Sequence, residues 1–178
     1  MSYPSIEIVK EFFTIHSFLV LEIEDILFVK NLKKEEGEIK NFVLKKEDIQ
    51  KMKNAMVKPI SWHTQKFTPS VLNKFPEIFD FLKMDFSEGI KGFLKNEKFL
   101  KILVIPALPS TENLRKQSIE IMKDKGIDNV ILFPAVISAL VEKINSRKVY
   151  LSFTNEILRI LKFYDFFSEE RELPFKGK

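Results

Sequence analysis

Few side chains in this sequence could carry chemistry, and most of them sit at the ends of apolar runs. Asp25 interrupts FLVLEIEDILFVKN. An acid at such a break could hold a metal ion or move a proton. Lys58, Trp62 and His63 fall together in VKPISWHTQKF. His can donate, accept or titrate near neutral pH, and Trp can stack on a base. Asp48, in the charged stretch Lys45–Lys53, could supply another acid. Asp25, Lys58 and His63 are thus the catalytic candidates, and Asp25 and Asp48 the metal ligands. Trp62 and His63, with Lys45, Lys46, Lys51, Lys53 and Lys66, are candidates for ligand contact. Each has a plainer reading as well. Asp25 is also a turn former at a strand break. Trp62 also serves as a core plug, His63 as a loop cap, and the lysines as solvated surface.

These residues need a frame, and Lys101–Asn145 supplies its clearest part. KILVIPAL, STENLRKQSIEIMKDK, GIDNVILF and PAVISALVEKIN read as strand, helix, strand, helix. The runs Ile102–Ile105 and Val130–Phe133 are continuously apolar, as expected of parallel strands covered on both faces. Leu114, Ser118, Ile121 and Met122 form the inner stripe expected for the intervening helix, and Gly126 is placed for a left-handed stop. Upstream, Pro4–His16 reads as a helix with Ile8, Phe12 and Ile15 on one face. FLVLEIEDILFVKN reads as two strands or as one long strand. Lys45–Lys53 reads as one or two helical turns, and Asn54–Ile60 as a strand that Pro59 confines to an edge or an end. Thr68 and Pro69 cap a helix that Pro76 kinks or restarts. Lys148–Ser152 reads as a short strand. A last helix begins near Thr154 with Ile157, Leu158, Leu161 and Tyr164 inward. The expected whole is an α/β fold, one domain over 1–168 with a mixed central sheet flanked by helices, and a flexible tail at 169–178.

Composition removes several function classes. No cysteine is present among 178 residues, which excludes a disulfide scaffold, a thiolate zinc site and a cysteine nucleophile. Two histidines, His16 and His63, are too few for a histidine-rich metal cage. His16 ends a helix, where it is expected to meet terminal carbonyls. Five glycines argue against glycine-built phosphate loops. No apolar run is long enough to span a membrane, and the N-terminal residues lack the pattern of a signal peptide, so a cytoplasmic protein is expected. Abundant Lys, Glu and Ile without cysteine match the composition of a thermophile. Net charge is +4, yet Lys30–Lys66 alone holds ten Lys against five Asp plus Glu. Such an excess can draw phosphate backbones, although this stretch has no Arg, whose planar fork suits phosphate best.

The order helix, strand meander, helix, strand over Ser5–Phe133, with Asp25 in EDILFVKN and the strand end VKPISWH, resembles the restriction-endonuclease-like, PD-(D/E)XK, superfamily. That resemblance implies an Asp at the start of the second strand, matched by Asp25. It also implies an acid, a spacer and a Lys on the third strand, with Mg²⁺ held by the two carboxylates. Here Lys58 stands in the place of the second carboxylate and Ile60 in the place of the Lys. The resemblance therefore implies a degenerate core without the standard nuclease chemistry. No cofactor is expected, Mg²⁺ entering only with an active nuclease.

The leading expectation is a nucleic-acid-associated protein in which Lys45, Lys46, Lys51, Lys53, Lys58 and Lys66 meet phosphates of DNA or RNA. A second is an interaction protein that forms a homodimer through Ile160–Phe167, where Phe163, Tyr164, Phe166 and Phe167 are too many aromatics for one inward helix face. A third is a non-standard metal-dependent nuclease using Asp25, Asp48 and His63.

Overall fold

The computed structural model describes residues 3–33, 37–84, 88–94 and 98–167. The expected tail at 169–178 lies outside them. Helix α1 (Tyr3–Ile15) leads into β1 (Phe18–Ile23) and β2 (Ile26–Asn31). Then come α2 (Lys46–Lys51), β3 (Asn54–Pro59), α3 (Pro69–Lys74), a 3₁₀ helix (Pro76–Lys83) and α4 (Glu88–Leu94). The chain continues as β4 (Leu100–Ile105), α5 (Glu112–Asp124), β5 (Asn129–Leu132), α6 (Phe133–Lys143) and α7 (Phe153–Phe163). The five strands form one sheet in sequence order. β1, β2 and β3 are antiparallel neighbours, and β3, β4 and β5 run parallel. The fold is thus α/β, with a mixed sheet between two helical layers.

Strand alternation divides the core in two. Leu27, Val29, Ala55, Val57, Ile102, Val104 and Ile131 face one side, packed against Val9 and Phe13 of α1 and Val136 and Leu140 of α6. Phe28, Met56, Leu103, Ile105 and Val130 face the other, packed against Leu72, Phe79 and Met122. Burial on both faces is why β4 and β5 read as unbroken apolar runs.

Several local devices shape the sheet's ends. Ile23 pairs with Ile26, so Glu24 and Asp25 form a two-residue hairpin loop between separate strands. Glu24 takes φ 56, a left-handed conformation uncommon for a side-chain-bearing residue. Pro59 is the last residue of central β3, where its missing N–H falls at the ladder's end, and Ile60 resumes bonding to Val104 O. Beyond β5, Leu44 N donates to Val130 O and Val130 N to Phe42 O, which covers that edge. Gly126 takes φ 96 after α5. Thr68 Oγ1 accepts from Val71 N, and the helix restarts as a 3₁₀ turn at Pro76.

Four expectations are corrected. Lys148–Ser152 is not a strand. Tyr150 N donates to Glu156 and its hydroxyl accepts from Asn145 N, so a local turn satisfies the backbone there. Phe133 begins α6 rather than ending β5. Leu114 is exposed on α5, while Ser118 and Met122 are buried. Ile157 and Tyr164 are exposed, because α7 is oriented by Leu158 against the core and by buried Asn155, whose amide donates to Glu11. No helix among the described residues is long and apolar enough to cross a membrane.

Candidate functional site

Strand direction gives the sheet two chemically different ends. At the end where the parallel strands finish, the Lys58 ammonium is bonded to the Asp25 carboxylate. Lys58 has the parity of Met56 and Ile60, so it projects to the face covered by the 3₁₀ helix. The pair lines a groove of about 380 Å³ with Glu24, Glu77, Asp80, Phe81, Lys83 and Met84. Four carboxylates against two ammonium groups leave that groove acidic. Mg²⁺ requires oxygen ligands freed of competing cations. Here Lys58 already neutralises Asp25, so the donor set does not fit the ion. Among the described residues, no three His, Cys, Asp or Glu side chains converge on a metal position.

His63 follows the same strand but turns to the opposite side of the sheet. Its Nε2 lies 2.8 Å from Ser5 Oγ of α1, and its ring rests on Phe133 at the start of α6. Two side chains at that distance could act as nucleophile and base. Ser5, however, is only 2% exposed. Among the described residues no carboxylate orients the ring. The contact therefore ties the start of α1 to the loop after β3. Trp62 is half-buried, stacked on Phe67 and edge-on to Phe75, which is the plug reading of this residue. Lys66 Nζ donates to Ser110 Oγ.

Asp48 lies beyond the other end of β3, before the strand begins. Six strand residues span roughly 20 Å, so Asp25, Asp48 and His63 do not form one site. Asp48 is a cap: its Oδ2 accepts from Lys45 N at 3.1 Å and from Asn41 Nδ2 at 3.0 Å. The backbone N–H of Lys45, then the Asn41 amide, holds its carboxyl below the usual carboxylate range. A depressed folded pKa contributes stability at pH well above ~4, and this is lost as pH falls through the lower folded value. Asp48→Ala is expected to lower unfolding free energy by about 1–2 kcal/mol at neutral pH. The loss should shrink in acid and be indifferent to added Mg²⁺. Urea unfolding at both pH values, with and without Mg²⁺, measures it.

The end where β3 and β4 begin is basic. Ala55 pairs with Leu100. Lys53 immediately precedes β3 and Lys98 lies two residues before β4, so both stand at the start of this parallel pair. Together with Lys51 they line a groove of about 370 Å³ whose other walls include Ile39, Asn54, Phe99 and Asp128. Lys51, Lys53 and Lys98 are all exposed. Asp128 is engaged with backbone, accepting from Lys101 N at 2.7 Å. Lys51 also lies 3.9 Å from Asp48 Oδ1, and three ammonium groups against Asp128 leave the groove net basic, a charge that attracts anions. Lys45 precedes α2 at this same end, and Lys46 on α2 pairs with Glu142 of α6 at 2.6 Å.

The structure therefore splits the expected ligand surface. Lys45, Lys46, Lys51 and Lys53 share one end, while Lys58, Trp62, His63 and Lys66 lie at the other. Lys98 and Ser5 are the residues that sequence reasoning missed. Lys98 is placed only by the β3–β4 register, and Ser5 by a contact across 58 positions. Compared with known proteins, the chain matches no family model, no curated protein and no solved structure.

Proposed function

We propose that this chain is a nucleic-acid-associated protein that holds DNA or RNA by backbone phosphates, with a restriction-endonuclease-like core that does not carry standard metal-dependent cleavage. The groove of Lys51, Lys53 and Lys98 carries the binding half of this reading. Lysine acts there as a point charge rather than a bidentate fork, so recognition is of the backbone and independent of base sequence. The element order supports the fold resemblance, and the Lys58–Asp25 ion pair supports loss of the metal site. Titration of a labelled oligonucleotide tests it. Three phosphate contacts predict a log–log salt slope of about −2.7 on duplex DNA, roughly a 40-fold loss of affinity between ~50 and ~200 mM salt. Mg²⁺ and chelator should give intact nucleic acid alike. No affinity at low salt removes the reading.

A second reading is favoured by exposure rather than charge. Phe163, Tyr164, Phe166 and Phe167 are all solvent-facing at the end of α7. They suit an interaction protein that pairs through this helix.

A further inference from the structure

We infer that two copies of this chain pair through α7, each inserting Leu151 into the groove between α1 and α7 of the other. The inference rests on the second reading and gives it a geometry.

The apolar stripe on α7 is outward by construction. Phe153, Ile157, Ile160 and Tyr164 are spaced four, three and four residues apart, the rhythm of a helix-pairing seam. All four are exposed, Phe153 by 80%. The inner side of the helix is fixed by other groups. Leu158 packs against the core, Asn155 bonds Glu11, and Lys162 Nζ donates to the carbonyls of Val141 and Ile144 at 2.6 and 2.7 Å. The stripe therefore cannot rotate inward without breaking these bonds.

The area is what a dimer needs. Phe153, Phe163, Tyr164, Phe166 and Phe167 together leave about 600 Å² of aromatic surface in water. Val149, Leu151, Ile157 and Ile160 extend it. A stable interface covers about 800 Å² per partner, whereas the largest apolar patch on a monomer is about 300–600 Å².

Shape selects a second copy as the occupant. A groove of about 680 Å³ opens between α1 and α7, walled by Pro4, Ile8, Phe153, Ile157 and Leu158. Leu151 stands beside it with 105% of its reference surface in solvent. A knob next to a hole on one surface is self-complementary under a two-fold rotation. Of the nearby carboxylates, Glu156 pairs with Arg159, Glu7 shares Lys10 with the nearer Glu22, and Glu11 accepts from the neutral Asn155 amide and keeps its charge. A lipid surface would instead call for free cations along the helix, but Arg159 and Lys162 are both spent internally.

Sedimentation of the full chain from micromolar to several hundred micromolar tests this, with a crosslink to locate the contact. The sequence has no cysteine, so a disulfide-linked dimer of a Leu151→Cys/Ile8→Cys chain, separated by size from any intrachain bond, reports that contact. Expected are a monomer–dimer equilibrium, a rise of about tenfold or more in its dissociation constant for Leu151→Asp, and oxidative crosslinking of Leu151→Cys/Ile8→Cys but not Leu32→Cys/Ile8→Cys. Leu151 touches little of its own chain, so its variants should keep the far-ultraviolet spectrum. A dimer indifferent to Leu151→Asp and not crosslinked overturns this geometry and leaves self-association standing. A monomer throughout, including one that floats with phosphatidylserine vesicles, overturns both.

Discussion

Replacing Lys51, Lys53 and Lys98 together by Glu is expected to weaken oligonucleotide binding about a thousandfold at low salt. Each lost lysine removes a charge-assisted phosphate contact of roughly 1.5 kcal/mol, about tenfold in affinity. Each also removes about one unit of the salt slope, so the residual binding should be almost flat in salt. The loss should be uniform across base sequences, because phosphate contacts carry no sequence information. The three side chains are exposed, but Lys51→Glu faces the Asp48 cap, so the melting temperature should fall by a few degrees while the fold is kept, which circular dichroism checks. Lys66→Glu is the control, since Lys66 lies at the opposite end and is bonded to Ser110. It should change affinity only by the small long-range effect of one charge. Fluorescence anisotropy across a salt series measures both variants.

The second large effect is at the other end of the sheet. Lys58→Glu replaces an ion pair by two adjacent carboxylates, in a groove that already holds Glu24, Glu77 and Asp80. Removing one partner of a buried pair costs about 3–5 kcal/mol. The Asp25 side chain keeps 27% of its surface in water, so about 3 kcal/mol is expected here. For a chain of this size that is a fall in melting temperature of roughly 6–12 °C. Millimolar Mg²⁺ should recover part of the fall in the variant, because two facing carboxylates are a site that Asp25 and Lys58 are not. The unsubstituted protein should melt at one temperature with or without Mg²⁺. Differential scanning calorimetry of the two proteins with Mg²⁺ and with chelator gives the comparison. A wild-type chain stabilised by Mg²⁺ would contradict the proposal that no metal site remains there.

What the sequence shows and what it hides follow from locality. Ile102–Ile105 and Val130–Leu132 are legible because burial on both faces leaves no polar alternation. Gly126 and Thr68 are legible because caps depend on a few neighbouring residues. The two-strand reading around Asp25 needed the Ile23–Ile26 pairing, which sequence left open. On α7, Ile157 and Leu158 are equally apolar, and only tertiary packing decides that Leu158 turns inward. The candidate site was half visible for the same reason. Lys51 and Lys53 belong to a lysine-rich stretch, but Lys98 joins them only through a strand register offset by 45 positions. Asp25 and His63 do share one end of the sheet, as their strand positions suggested. Their separation onto opposite faces depends on where the chain turns after Ile60, which no local pattern records. His16 shows the limit of a local reading that did hold. Its Nδ1 donates to Phe12 O at 2.7 Å, as a helix-end histidine should, but burial also lowers its pKa, and Nε2 has no partner among the described residues.

The central claim is that nucleic acid meets the end of the sheet where β3 and β4 begin, and not the end where they finish. Backbone amide shifts recorded while an oligonucleotide is titrated into the protein separate the two directly. The account predicts graded shifts at Lys51, Lys53, Lys98, Leu100 and Asp128, lost together as salt is raised. Shifts centred instead on Asp25, Lys58, Trp62 and His63 would contradict it.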